Sequence, residues 1–150
     1  MKIIHFSDIH MGGPAEDWLA YLDKRWVGVF NYRFRRKFQH NPYFMRKAVE
    51  YIVECRPDLV VCTGDITSTG QPGEFRKALE LLEPITNSDI ELVYIPGNHD
   101  YYVKRKKCVD AMRSAFETLN KGRLRFDDLP VVRRFGSCDL IIVNESFPTN

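Results

Sequence analysis

Three short polar clusters hold most of the side chains able to do chemistry: Asp8-Ile9-His10, Gly64-Asp65-Ile66-Thr67-Ser68-Thr69-Gly70 and Gly97-Asn98-His99-Asp100. Carboxylate, carboxamide and imidazole donors suit Mn, Fe, Zn or Ni rather than soft copper. Asp8 and His10 lie two residues apart, so strand alternation would aim both at one ion. Gly64 and Gly97 would let backbone approach the site closely or take a positive φ. An imidazole next to a carboxylate, as in His99-Asp100, is the pairing that a general acid working near neutrality calls for. Taken singly, such residues are ordinary caps, turn formers or core histidines. Three clusters at three successive strand ends are a different matter.

The elements that must position these clusters can be read from the apolar pattern. Ile3-Ile4-His5-Phe6, Leu59-Val60-Val61-Cys62, Leu92-Val93-Tyr94-Ile95 and Leu140-Ile141-Ile142-Val143 are short and mostly apolar. Such runs predict strands covered on both faces. Between them lie amphipathic stretches. The first helix is predicted from Asn41-Pro42, as cap and first turn, to Cys55, with Met45, Val49, Ile52 and Val53 inward. A second runs over Pro72 to Ile85, with Phe75, Ala78, Leu79 and Leu82 on one face, and a third over Val103 to Leu119, with Val109, Met112, Phe116 and Leu119 inward. Leu124 to Phe135 reads as a hairpin-like connection. The order β-α-β-α-β-α-β predicts an α/β fold of parallel βαβ units with right-handed crossovers. Ligands of open α/β sheets bind beyond the carboxyl ends of the strands, where all three clusters fall.

In order, spacing and strand context, Asp8-x-His10, Gly64-Asp65 with Gly70 five residues on, and Gly97-Asn98-His99-Asp100 resemble the calcineurin-like metallophosphoesterases. The resemblance implies a four-layer α-β-β-α sandwich with a two-metal centre. It implies that Asp8 and His10 bind the first metal, that Asp65 bridges both and that Asn98 binds the second. It further implies that His99 contacts the phosphate and acts as general acid, oriented by Asp100. The implied reaction is hydrolysis of a phosphomonoester or phosphodiester by attack of metal-bound hydroxide. Two cations about 3.5–4 Å apart suit that chemistry, because together they polarise a phosphoryl group. Manganese is the favoured ion among Mn, Fe, Zn and Ni.

Family members continue into a second half that carries Gly-His and Gly-His-x-His elements. Here the histidines are His5, His10, His40 and His99, and none stands in such a pattern. By alternation His5 faces away from Asp8, as a packed or surface residue. We therefore read the 150 residues as the N-terminal half of the fold, with two divalent ions expected in the complete fold and as few as one in this chain. The alternative to a phosphoesterase is an incomplete half-domain acting as a metal-binding or partner-binding module. A half-fold leaves sheet edges or faces uncovered, which favours self-association.

Composition sets the outer bounds. The chain is 44% apolar and 28% charged with a net charge of +2, the balance of one globular domain. No apolar stretch approaches the ~18–20 residues of a membrane span. The N-terminus lacks the apolar core of a secretory signal. Cys55, Cys62, Cys108 and Cys138 form no CxxC pair, so a reduced, cytoplasmic setting is expected, at most peripheral to a membrane. The neutral total hides an asymmetry: Lys24 to Lys47 holds eight basic residues and no acid. Within residues 14–40, Trp18, Tyr21, Trp26 and Phe30 form an apolar stripe, and Arg33, Arg35, Arg36 and Lys37 alternate with aromatics. Three readings stand for this insertion beside the site: a cleft wall gripping an anionic substrate such as nucleic acid, a basic amphipathic surface for membrane lipid, or a cap whose aromatics are core and whose bases are solvated.

Overall fold

The computed structural model describes residues 1–13 and 42–148. The expected insertion at residues 14–40, with most of the basic segment, lies outside them. In chain order the elements are β1 (Ile3–Phe6), α1 (Pro42–Cys55), β2 (Leu59–Cys62), α2 (Pro72–Thr86), β3 (Glu91–Tyr94), α3 (Lys106–Leu119), a 3-10 turn (Phe126–Asp128), β4 (Val131–Phe135) and β5 (Cys138–Ile142).

β1, β2 and β3 form a parallel sheet in that order, in the register Ile4↔Val60↔Leu92 and Phe6↔Cys62↔Tyr94. Adjacent parallel strands joined by right-handed crossovers place their helices on one face. The Tyr94 ring lies 6.3 Å from Phe116 of α3, which identifies the Tyr94 side as the helix side. The helices send in the residues their periodicity predicts. Val49, Ile52, Phe75, Ala78, Leu82, Met112, Phe116 and Leu119 are all buried, and Met45, Leu79 and Val109 are half-buried. On the opposite face β1 is open: Ile3 and His5 are exposed, with His5 Nε2 2.8 Å from Thr63 Oγ1. His5 is thus a surface residue, as alternation predicts.

Two elements depart from the pattern. The fourth apolar run does not extend the parallel sheet. It pairs antiparallel with β4, Val131↔Ile142 through Phe135↔Cys138, across a tight turn in which Gly136 has φ 58°. A two-residue turn with a positive-φ glycine matches the twist of a hairpin, so β5 closes on its sequence neighbour. The hairpin is tied to the sheet by Ile142, fully buried in the core, by Arg133 on Glu91 (3.3 Å), and by the Ser146 hydroxyl donating to Pro96 O (3.2 Å). The second departure is α3, which begins at Lys106 rather than Val103. Val103 is buried and Tyr102 stacks on His99, so the chain stays extended through Arg105 before the helix starts. The cationic first turn is eased by Lys106 reaching Asp110 at 2.6 Å.

Candidate active site

All three polar clusters converge beyond the carboxyl ends of β1, β2 and β3. Backbone hydrogen bonds zip the first cluster to the second: Asp8 N–H donates to Gly64 O (3.1 Å), His10 N–H to Asp65 O (2.8 Å) and Met11 N–H to Ile66 O (2.8 Å). This pairing demands unusual backbone. Asp8 has φ 60°, His10 φ 48° and Asp65 φ 53°, all left-handed and none glycine. Such conformations persist only where surrounding bonds impose them, and they cluster at functional sites. The expectation that Asp8 and His10 share a strand face is corrected accordingly. Both lie past the end of β1, where the left-handed turns rather than the strand pleat bring His10 Nε2 to 3.4 Å from Asp8 Oδ1.

The second and third clusters meet at two glycines. Gly64 has φ 91°, and a Cβ there would overlap the Gly97 backbone; a Cβ on Gly97 would overlap the Asp65 carboxylate and backbone nitrogen. Only glycine fits at both positions, and the space left is the seat of the Asp65 carboxylate. Asp65 Oδ1 accepts the His99 backbone N–H at 2.9 Å, which couples β2 to the loop after β3.

The side chains then divide into three groups. His10, Asp65 and His99 each offer one ligand atom within 4.8 Å of the others. Asp8, Asp65 and Asn98 line a cavity of about 390 Å³ with Ser7, Thr63, Glu145 and Ser146. Asp8 is exposed, and the Ser7 hydroxyl, with the nearby His10 ring, holds its carboxyl below the usual carboxylate range. Asp100 stands apart, 1% exposed. It accepts from the backbone N–H groups of Ile66 (3.3 Å), Thr67 (2.8 Å) and Gly97 (3.1 Å), from Thr67 Oγ1 (2.8 Å) and from the Tyr94 hydroxyl (2.9 Å). Burial raises its pKa although these donors pull the other way.

Asp100 therefore clamps the β2 and β3 loops to each other, and its hydrogen bonds go to loop backbone, Thr67 and Tyr94 rather than to the His99 ring. The expected orientation of His99 by Asp100 is corrected: both Asp100 oxygens are taken up by those donors, and His99 Nδ1 lies 2.7 Å from the Ser68 carbonyl oxygen. The ring is further held by Tyr102, stacked at 5.4 Å and 9°, and by an edge contact with His10 at 4.9 Å. The sequence gives little warning of Ser68, because a backbone carbonyl has no residue signature. Glu145 and Ser146 were equally silent, since their place depends on the hairpin.

The donor set fits a divalent first-row metal. Imidazole nitrogens and carboxylate oxygens are its ordinary ligands; bonds of ~2.0–2.2 Å place ligand atoms of one ion within roughly 4.4 Å of each other, so a group gathered within 4.8 Å needs at most a small inward movement to hold one. The glycine at position 97 leaves the Asp65 carboxylate the space that a Cβ there would take. The three donor side chains of that group are half-buried, so the site is open to a substrate as well as to an ion.

Comparison with known proteins agrees with this geometry. Residues 1–147 match the calcineurin-like phosphoesterase family. Over 53 residues the chain is 42% identical to a cAMP/cGMP dual specificity phosphodiesterase of Mycobacterium tuberculosis, a match covering 35% of this chain and 17% of that protein. Over 109 residues it is 27% identical to the DNA double-strand break repair protein Mre11 of Methanococcus maripaludis, covering 71% of this chain and 25% of that protein. The chain thus spans a quarter or less of the length of these curated relatives. With the motif order, the βαβ frame and the family match all in agreement, the chain belongs to the calcineurin-like phosphoesterase family.

Proposed function

We propose that this chain carries the N-terminal half of a metal-dependent phosphoesterase site and that its substrate is a phosphodiester. The observation that carries the reading is the junction at Asp65. One carboxylate stands in the His10–Asp65–His99 group, lines the cavity shared with Asp8 and Asn98, and accepts the His99 backbone N–H. Asp8, His10, Asp65 and Asn98 are the residues that would hold divalent ions, with Mn²⁺ favoured. Bound ions would supply Lewis-acid polarisation of the phosphoryl group and a water of lowered pKa.

His99 supplies the proton. Its Nδ1 is committed to the Ser68 carbonyl, so Nε2 is the nitrogen that exchanges a proton with the substrate. As the bond from phosphorus to the leaving oxygen breaks, that oxygen takes the Nε2 proton of the His99 imidazolium; the new bond to phosphorus forms from water, and a water proton restores the imidazolium. A diester is favoured over a monoester because one relative is a cAMP/cGMP dual specificity phosphodiesterase.

The test pairs metal content with turnover in the intact protein after reconstitution with Mn²⁺. Asp65→Ala is expected to lose metal almost entirely. His99→Ala is expected to keep it while kcat on bis(p-nitrophenyl) phosphate falls by about 10²–10⁴-fold, the usual worth of a general acid. Full metal in Asp65→Ala would refute the bridging role. Loss of metal in His99→Ala would make His99 a ligand instead of an acid.

A second reading, a partner-binding module, is favoured by the hairpin. Val132 and Ile141, paired across β4 and β5, are 61% and 68% exposed, and Phe147 beyond them is 76% exposed.

A further inference from the structure

The group that holds the His99 ring is a backbone carbonyl, and a carbonyl is only as well placed as the segment that carries it. Ser68 is tied to the first cluster by two bonds. Its N–H donates to Met11 O at 3.1 Å, and its hydroxyl donates to His10 O at 2.9 Å. On its N-terminal side Thr67 is held by Asp100. On its C-terminal side Thr69 is held by Glu74, a carboxylate 2% exposed at the start of α2. Glu74 Oε2 accepts the Thr69 N–H at 2.8 Å and the Gln71 N–H at 3.3 Å, and both its oxygens lie 3.1 Å from Thr69 Oγ1. It also accepts from the Gly13 backbone. One buried carboxylate thus fastens the Ser68-Thr69 corner, the first turn of α2 and the segment leaving the first cluster.

We infer that Glu74 is a positioning residue for His99: by fixing Thr69 it sets the Ser68 carbonyl that binds the Nδ1 hydrogen, and so sets which imidazole nitrogen is left to face the substrate.

A helix cap alone explains part of this arrangement and not the rest. A capping glutamate needs only the Gln71 N–H, its weakest contact here. The shorter bonds go to Thr69, outside the helix and next to the carbonyl in question. Burying a carboxylate is costly, and burial pushes the Glu74 pKa to about 7 against the donors that favour its charged form. An apolar residue could pack there without that cost but could not accept from Thr69. The consequence for His99 follows from imidazole chemistry: in the neutral ring one nitrogen carries hydrogen and the other a lone pair, and the partner of one nitrogen decides the identity of both.

This inference rests on the reading of His99 as the acid, and its test is chosen to be independent of turnover. The ring nitrogens of His99 are to be observed by long-range proton–nitrogen correlation in the intact, metal-free protein labelled with ¹⁵N-histidine, its signal identified by loss in His99→Gln. The parent is expected to show the Nδ1–H form of the neutral ring. Glu74→Leu is expected to lose that preference and give averaged nitrogen shifts. Glu74→Gln, which keeps one acceptor oxygen, is expected to restore the parent pattern in part. Thr69→Val keeps Glu74 and the backbone bonds it accepts, removing only the Thr69 hydroxyl with its contacts to Glu74 and to Gln71 Nε2, and serves if Glu74→Leu does not fold; it is expected to weaken the Nδ1–H signature. Parent-like nitrogen shifts in the folded variants would overturn the inference, whatever their turnover. A parent that hydrolyses no phosphodiester but loses its tautomer in Glu74→Leu would overturn the phosphoesterase reading and leave the positioning role standing.

Discussion

Asp100 follows directly after His99 and yet works at a distance from the imidazole. Its oxygens satisfy five donors from both loops, in a place that water does not reach. Removing a buried acceptor leaves each donor unpaired at about 1–3 kcal/mol apiece. Asp100→Ala is therefore expected to cost several kcal/mol and to lower the melting temperature well before any question of catalysis arises, as calorimetry would read. If the variant melted like the parent but turned over slowly, Asp100 would belong to the chemistry and not to the frame. The contrast with Asp65 is instructive. Both are aspartates after a strand, but one is half-buried and faces donors on one side only, while the other is fully enclosed. Environment, not residue type, separates the proposed ligand from the clamp.

At the scale of elements, α2 joins the core to the site. Phe75, Ala78 and Leu82 anchor it against the sheet, and Glu74 at its start reaches Thr69. The ionised form of Glu74 is disfavoured by folding, since its pKa is about 7 in the protein against 4.5 when unperturbed. Its contribution to stability is therefore complete below about pH 4.5 and is lost as the pH rises toward 7, by roughly 3 kcal/mol at most. Asp100, also raised by burial, carries the same sign. Denaturation of the parent across this window is expected to slope downward with pH, and Glu74→Gln is expected to flatten the slope. A parallel slope in the variant would mean that Glu74 does not titrate there.

The elements were legible to very different degrees. β2, β3 and the faces of α1, α2 and α3 could be read because a strand covered on both sides and an amphipathic helix each impose a period on the residues. β5 could be read as a strand but not in its pairing. The neighbour across Gly136 wins over a crossover partner because the two-residue turn matches the twist of a hairpin, which Ile142 and Arg133 then tie to the sheet. The site followed the same division. Its residue types were visible, but the left-handed turns at Asp8 and His10 were not, because those conformations are imposed by carbonyls on another strand. The His99–Ser68 contact was invisible for a like reason.

Among the described residues the molecule offers a sheet covered by helices on one face and apolar side chains exposed on the other face and on the hairpin. Ile3 on the open face of β1 and the Val132–Ile141 pair on the hairpin expose apolar side chains. Exposed β-edges and apolar patches are the surfaces through which chains associate. The 150-residue chain is expected to self-associate with rising concentration in sedimentation experiments, and Ile141→Lys to shift it toward monomer. Identical sedimentation of parent and variant across the concentration range would show that the hairpin face takes no part. Among the described residues no helix is long and apolar enough to cross a membrane.

The three left-handed aspartate and histidine turns carry a consequence for descent as well as for chemistry. Each holds an ordinary residue in a conformation that costs about 1–2 kcal/mol outside glycine. A lineage that no longer used the site would gain stability by letting these positions drift to glycine, with Asp8, exposed and lightly tethered, the first to go. The strain at Asp8, His10 and Asp65 is thus a standing cost in backbone angles that glycine at any of the three would relieve, at the loss of the side chain it carries.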